Sequence, residues 1–218
     1  QSNLKMAEFL SGWGRTKIFQ TNTLYPNSYE EIRKNNFKKI IPRGLGRSYG
    51  DSSIQKNGTV VLTKLNKILS FDKKNGILNA QSGISLRKIL QNTIPEGWFI
   101  AISPGTKNVT LGGMIASNVH GKNHHIEGTM SNFINSFKIL INEEIFECSQ
   151  YSNKEIFDHT IGGLGLTGII IEASINLKRI ETNKIEQKQF FFNDIDSTIK
   201  KLESNKNYEY SVAWLDLS

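Results

Sequence analysis

The segment at residues 42–52, with the sequence PRGLGRSYGDS, constrains the fold of this chain more than any other feature. Its glycines permit tight backbone bends, which let several backbone N–H groups converge on one bound anion. Arg43 and Arg47 add charged donors that suit a pyrophosphate. A surface turn that needs glycine only for its shape is the alternative. The length and the charge of the segment favour an anion-binding loop.

A dinucleotide-binding fold would also place glycines around a pyrophosphate. The loop at residues 44–50, however, is one residue longer than Gly-x-Gly-x-x-Gly, and no helical pattern follows Asp51. A literal match occurs at residues 163–168, but it follows a helical pattern and leads into a strand pattern. That order is the reverse of the one a dinucleotide-binding fold requires, so the context argues against it.

A second glycine-containing segment begins at Thr110, which is a suitable N-cap for a helix. Gly112 and Gly113 fall in the first turn of that helix. Each glycine costs roughly 1 kcal/mol relative to alanine in a helix, so we expect another group to approach this backbone closely. The free N–H groups of a helix N-terminus form a common binding site for phosphate.

Three histidines, His120, His124 and His125, follow this helix among glycine, asparagine and lysine residues. A single histidine is most often a structural side chain, but so polar a stretch is unlike ordinary core. We expect the imidazole of His120 to lie over a planar ligand or against a substrate hydroxyl, which makes His120 the candidate catalytic residue. No second pair of ligands accompanies His124 and His125 at zinc spacing, so we expect no metal site.

Strand patterns and helical patterns are mixed along the chain, with a hairpin at residues 137–148, and this mixture predicts an α+β fold. The clearest strand is at residues 169–177, where isoleucine, alanine and leucine alternate on one face. Other strands are expected at residues 39–41, 60–62, 77–81, 98–102, 137–141, 145–148, 190–192 and 210–214. Helices are expected after the capping residues Ser28, Ser85 and Thr110 and at residues 154–159 and 195–202.

Composition excludes several classes of protein. A net charge of +7 favours an anionic partner, but the basic residues are scattered and lack interleaved aromatic residues, which argues against nucleic-acid binding. The single cysteine, Cys148, excludes an internal disulfide and is expected to be an apolar filler on a strand. No apolar run is long enough to span a bilayer and no signal peptide is recognised, so we expect a cytoplasmic protein or one at the membrane periphery. Residues 1–3 resemble the remnant of a cleaved tag, which predicts a native start near Met6.

Several of these segments together resemble the FAD-binding domain of the vanillyl-alcohol oxidase and p-cresol methylhydroxylase superfamily. The segments occur in the same order as in the family and extend over essentially the whole chain. Within the superfamily they are most similar to the decaprenylphosphoryl-ribose 2′-oxidases. They lie at residues 11–16, 42–52, 104–106, 112–113, 120–125, 163–170 and 210–216.

The resemblance implies that residues 1–180 form an FAD-binding domain, with a small lobe at about residues 17–102 and a larger lobe at about residues 103–180. Residues 181–218 would begin a substrate domain whose remainder is absent, so we expect no turnover by this chain alone. Residues 42–52 would wrap the pyrophosphate, residues 117–120 would run beside the flavin ring, and Trp214 would border the substrate. The implied cofactor-binding residues are Pro42, Arg43, Gly44, Leu45, Gly46, Arg47, Ser48, Tyr49, Gly50, Asp51, Ser52, Gly105, Thr110, Leu111, Gly112, Gly113, Ser117, Asn118, Val119, His120 and, on the adenine side, Ile170.

The resemblance also implies the chemistry. Many members of the superfamily bind flavin covalently through a histidine at the position of Arg47, so an arginine there predicts non-covalent FAD. The implied reaction is the oxidation of a sugar secondary alcohol to a ketone, with hydride transfer to flavin N5. A phosphoprenyl pentose is the implied substrate and a short-chain reductase the implied partner. An aldonolactone or alditol oxidase of the same superfamily and a non-catalytic flavin-binding module remain as alternatives.

Overall fold

Two β-sheets organise the protein in a computed structural model, which describes residues 6–35, 37 and 39–216. The mixture of strands and helices confirms the expected α+β fold. Residues 1–3, expected to be a tag remnant, lie outside the described residues, as do residues 217–218 at the end of the expected second domain.

The first sheet has four strands in the order β1-β2-β4-β3. The strands are β1 (Met6–Ser11), β2 (Ile18–Leu24), β3 (Ile41–Arg43) and β4 (Thr59–Val61). β1 and β2 form an antiparallel hairpin, whereas β4 is parallel to both β2 and β3. Helix α1 (Tyr29–Arg33) lies between β2 and β3. It begins after Ser28, whose hydroxyl accepts a hydrogen bond from Glu31 N, as the capping pattern predicts.

The third strand differs from its expected position. β3 begins at Ile41 and runs through Pro42, which the sequence pattern predicts as its end. β3 lies at the edge of its sheet, where a proline leaves no ladder bond unmade. The connection from β3 to β4 contains the glycine-rich loop, and its described residues after Asp51 form no helix.

The second sheet has six strands, each antiparallel to its neighbours. They follow the order β5-β6-β10-β8-β9, and β7 pairs with the C-terminal end of β10. The strands are β5 (Ile68–Asp72), β6 (Ile77–Gln81), β7 (Trp98–Ile100), β8 (Ile134–Ile141), β9 (Glu144–Ser149) and β10 (Ile169–Arg179). The helices in this part are α2 (Leu86–Thr93), α3 (Leu111–Ala116), α4 (His124–Glu127) and α5 (Lys154–Thr160). The change from the first sheet to the second falls between β4 and β5.

Strand β10 connects the two hydrophobic cores of the protein. Its pairing with β8 shifts by one residue between Ile170 and Glu172, which identifies a β-bulge at Ile171. Ile169 and Ile171 therefore pack with the core of the first sheet, while Ile170, Ala173, Ile175 and Leu177 pack with the core of the second. The expectation that Ile169, Ile171, Ala173, Ile175 and Leu177 share one face is wrong for this reason.

After β10 the chain forms a C-terminal arm, residues 181–216, most of whose side chains are exposed. Helix α6 (Ile195–Ser204) confirms the helical spacing seen in the sequence, and Asp194 caps it. The strands expected at residues 190–192 and 210–214 are wrong, because these described residues pair with no other strand. None of the helices in the described ranges is long and apolar enough to cross a bilayer.

Candidate functional site

A cleft lies where the glycine-rich loop, α3 and the segment before β10 meet. Its walls contain many of the residues that the sequence assigns to the cofactor. The predicted residues that line it are Pro42, Arg43, Gly44, Ser48, Ser52, Thr110, Gly112, Gly113, Ser117 and Ile170. Residues that are far apart in the sequence are thus brought to one cavity.

The glycine-rich loop presents a run of unpaired backbone donors. Among the described residues, the N–H groups from Leu45 to Asp51 donate no hydrogen bond to any backbone or side-chain atom. The backbone φ angles of Gly46 and Gly50 are +68° and +56°, a left-handed conformation that glycine adopts without strain. Consecutive free N–H groups at such bends form a concave anion-binding site. The loop therefore fits the diphosphate of a dinucleotide cofactor.

The side chain of Arg43 supports this loop from inside. Its Nη1 donates to Ser53 Oγ at 3.0 Å and its Nη2 donates to the carbonyl oxygen of Ser11 at 2.8 Å. Burial, together with the nearby charge of Arg47, lowers the pKa of the Arg43 guanidinium. Arg47 is exposed and donates to the carbonyl oxygen of Leu45 at 2.6 Å. Arg43 thus has two of its donors committed to the protein, and it shapes the loop as well as adding charge.

The N-terminus of α3 does not offer the free donors that the sequence suggests. The N–H of Leu111 donates to the carbonyl oxygen of Ile84 at 2.9 Å, and that of Gly112 donates to Ser82 O at 2.8 Å. The N–H of Gly113 donates to the Thr110 hydroxyl at 3.3 Å. The expectation that these N–H groups bind a phosphate is therefore wrong, because all three already donate to other atoms of the protein.

Close packing explains why residue 112 is a glycine. A β-carbon there would lie 2.9 Å from Cβ of Ser82, so only glycine lets α3 approach the end of β6 this closely. Gly112 thereby brings the helix to the floor of the cleft.

Sequence reasoning missed several residues that line the cleft. Ser82 is 1% exposed, and its hydroxyl has no hydrogen-bond partner among the described residues. An unpaired buried hydroxyl at a cavity wall is a position where a ligand can supply the missing partner. The segment rejected as a dinucleotide motif also contributes to the wall, and its resemblance to the family was the signal that could have found it. The missed lining residues are Ser53, Leu62, Ser82, Ala116, Thr160, Leu164, Gly165 and Gly168.

Some predicted residues lie elsewhere. Leu111 is buried in the core of the second sheet, and Gly105 lies beside the C-terminal arm. His120 is exposed, forms a backbone bridge with Thr129, and has its ring 5.3 Å from that of His124. The predicted residues that do not line the cleft are Leu45, Gly46, Arg47, Tyr49, Gly50, Asp51, Gly105, Leu111, Asn118, Val119 and His120.

A second, wider cleft lies between the C-terminal arm and two loops, the one before α3 that contains Gly105 and the one after α3 that contains Lys122. Trp214, the predicted substrate neighbour, lies on this cleft and is exposed. Lys178 of β10 connects to the arm through an ion pair with Glu209 at 2.8 Å, and it also pairs with Glu127 of α4 at 2.6 Å. Although burial opposes the charge, hydrogen bonds to these carboxylates raise the pKa of Lys178. The arm is therefore held close to residues 120–127, which include the three histidines His120, His124 and His125.

Comparison with known proteins agrees with this geometry. A family model described as an FAD binding domain matches residues 27–149. Decaprenylphosphoryl-β-D-ribose oxidase of Mycolicibacterium smegmatis is 35% identical over 95% of this chain and 48% of its own length. L-gulonolactone oxidase of Scyliorhinus torazame is 28% identical over 82% of this chain and 43% of its own length. The chain thus spans about half the length of the curated relatives it matches.

A solved structure of alkyldihydroxyacetonephosphate synthase has a similar fold. It superposes with a TM-score of 0.65 and 21% sequence identity over 74% of this chain and 32% of that protein. At this identity the likeness shows a common fold.

Proposed function

This chain belongs to the FAD-binding domain family of the vanillyl-alcohol oxidase and p-cresol methylhydroxylase superfamily, and from that premise we propose that it holds FAD without a covalent bond. We further propose that it forms the cofactor-binding half of an oxidoreductase that converts a secondary alcohol of a sugar to a ketone. The observation that carries the proposal is the run of unpaired N–H groups from Leu45 to Asp51 beside a cleft walled by α3 and β10.

Each part of the cleft has a role in this proposal. The N–H groups of the glycine-rich loop bind the diphosphate, and the half-buried guanidinium of Arg43 adds positive charge behind them. The hydroxyl of Ser82 donates to an oxygen of the cofactor, which gives it the partner that the protein does not provide. The side chain of Ile170 contacts the adenine side. When bound, FAD supplies a flavin ring that accepts a hydride at N5.

The proton of the substrate hydroxyl needs an acceptor, and we assign this role to His120. Its imidazole is exposed, and its position is restricted by the backbone bridge to Thr129 and by the edge contact with His124. Trp214 on the C-terminal arm borders the substrate in this proposal.

The names of the relatives suggest two classes of substrate. The 35% identity with decaprenylphosphoryl-β-D-ribose oxidase favours a phosphoprenyl pentose. The weaker match to L-gulonolactone oxidases supports an aldonolactone as the second candidate. The net charge of +7 agrees better with the phosphorylated substrate.

An absorbance experiment on the full-length protein tests the proposal. We expect a band at about 450 nm, which is the signature of oxidised flavin. Under anaerobic conditions, a soluble short-chain phosphoprenyl ribose should bleach this band, whereas free ribose, the control, should not. Bleaching by L-gulono-1,4-lactone alone would favour the second candidate, and bound flavin that no sugar bleaches would support a non-catalytic module. Absence of the band after incubation with FAD would overturn the cofactor assignment.

A further inference from the structure

The hairpin of β1 and β2 lies before residue 27, where the match to the FAD-binding family model begins. Its turn nevertheless contacts the glycine-rich loop. The N–H of Trp13 donates to the carbonyl oxygen of Ser48 at 2.9 Å. The carbonyl oxygen of Ser11 accepts from Arg43, the residue that supports the loop from inside. The turn of the hairpin is therefore packed directly on the anion-binding loop.

The closest approach is made by Gly12. A β-carbon on this residue would overlap the carbonyl oxygen of Gly50 and lie 3.1 Å from that of Ser48. Both neighbouring atoms belong to the backbone, so neither can move aside by a side-chain rotation. Gly14, in the same turn, is different, because its nearest neighbour would be the methyl carbon of Thr16 at 3.8 Å. The need for glycine is thus specific to residue 12.

These contacts determine which way the peptide groups of the loop face. In a planar trans peptide the C=O and the following N–H point in opposite directions. Because the carbonyl of Ser48 is directed at the hairpin, the N–H of Tyr49 is directed away from it. The carbonyl of Gly50 lies against Gly12, which likewise orients the N–H of Asp51. The loop itself makes no internal backbone hydrogen bond from Leu45 to Asp51 among the described residues, so external contacts must hold these orientations.

We propose that the hairpin turn, residues 11–13, is a positioning element of the cofactor site, with Gly12 as its central positioning residue. The turn contributes no group to the cofactor. It holds the N–H groups of Tyr49 and Asp51 in the orientation that receives the diphosphate. This inference rests on the proposed binding of FAD by the glycine-rich loop.

The variants Gly12→Ala and Gly14→Ala form a matched pair, since they add the same methyl group to the same turn. We expect Gly12→Ala to raise the Kd for FAD by about tenfold or more, and Gly14→Ala to leave it within about twofold of wild type. FAD titration followed by fluorescence quenching in the full-length protein measures both values. The thermal unfolding midpoint of each FAD-free variant is the structural readout. The backbone overlap should lower the midpoint of Gly12→Ala below that of Gly14→Ala, so both titrations are made well below the lower midpoint, where each variant is folded.

Equal FAD affinity of Gly12→Ala and wild type would overturn the inference, as would equal weakening by both variants. Hydrogen exchange on the wild-type protein gives a test that does not depend on the folding of a variant. FAD should slow exchange at the N–H groups of Tyr49 and Asp51, and unchanged exchange at both would also overturn the inference. If wild type itself bound no FAD, the cofactor assignment would fail first, and this inference with it.

Discussion

The backbone of Gly44 lies directly against the side chain of Thr110. A β-carbon at Gly44 would overlap the Thr110 hydroxyl oxygen and lie 3.1 Å from its methyl carbon. Thr110 also caps α3 by accepting a hydrogen bond from Gly113 N. This contact joins the first glycine of the glycine-rich loop to the N-terminus of α3, so the pair connects two walls of the cleft.

The variant Gly44→Ala should destabilise the protein by about 1–3 kcal/mol, because the added methyl group overpacks this contact. Thr110→Ala should cost about 1 kcal/mol, since it removes the helix cap. The double variant should be more stable than the sum of the two changes predicts, by about 1 kcal/mol, because alanine at residue 110 makes room for the new methyl group. Urea denaturation of the four proteins measures the coupling. If the two free-energy changes were strictly additive, the prediction would be contradicted, because the Thr110 side chain would then not clash with a methyl group at residue 44.

Helix caps were predictable from the sequence. Ser28, Ser85 and Thr110 each accept a hydrogen bond from the N–H three residues later, as their patterns indicate. A cap depends on four consecutive residues and on nothing distant, so local sequence contains the whole signal. The same is true of the glycine-rich loop, whose glycines and polar residues indicate its bends directly.

Features that depend on distant residues were not predictable in this way. The bulge at Ile171 is a property of the pairing between β10 and β8, and the alternation of apolar residues along β10 does not reveal it. The partners of the α3 N–H groups, Ser82 and Ile84, lie more than twenty residues earlier in the chain. The aromatic run at residues 190–192 has strand-like composition, but no neighbouring strand is available to pair with it among the described residues.

Ser82 and Ser85 provide a contrast between two serine hydroxyls in one short segment. The hydroxyl of Ser82 is buried without a partner, so Ser82→Ala should change the free energy of unfolding of the FAD-free protein by less than about 0.5 kcal/mol. Ser85 caps α2 through Lys88 N at 3.2 Å, so Ser85→Ala should cost about 1 kcal/mol. Urea denaturation measures both changes.

In FAD binding, the order of the two variants should reverse, so that Ser82→Ala has the larger effect. Ser82→Ala should weaken FAD binding by about tenfold if the cofactor supplies the missing partner, while Ser85→Ala should not. A large loss of stability in FAD-free Ser82→Ala would contradict the prediction, because it would reveal a structural hydrogen bond at this hydroxyl.

Stability at alkaline pH should depend on Tyr29. Burial is the main reason that the pKa of Tyr29 is raised from 10.0 to about 12. The hydrogen bond from Gln81 opposes this rise, and the hydrogen bond that the Tyr29 hydroxyl donates to Glu172 at 2.8 Å, with the charge of Glu172, adds to it. The unfolded chain therefore loses this proton first as the pH rises. The stabilising contribution is complete below pH 10 and is lost as the pH rises to about 12. The stability difference between wild type and Tyr29→Phe should accordingly shrink between pH 9 and pH 12 in urea denaturation, whereas a constant difference would contradict the assignment.

The proposal that FAD is held without a covalent bond is testable through Arg47. The superfamily resemblance places Arg47 where many members have a flavin-linked histidine, and a guanidinium forms no such bond. In the structure this side chain is exposed and donates to the carbonyl oxygen of Leu45, which leaves it at the surface of the loop. Acid precipitation of the FAD-loaded protein should therefore release the flavin into the supernatant, with recovery equal to that of free FAD treated in the same way. Flavin fluorescence that migrates with the denatured protein on a gel would show a covalent link through some other residue.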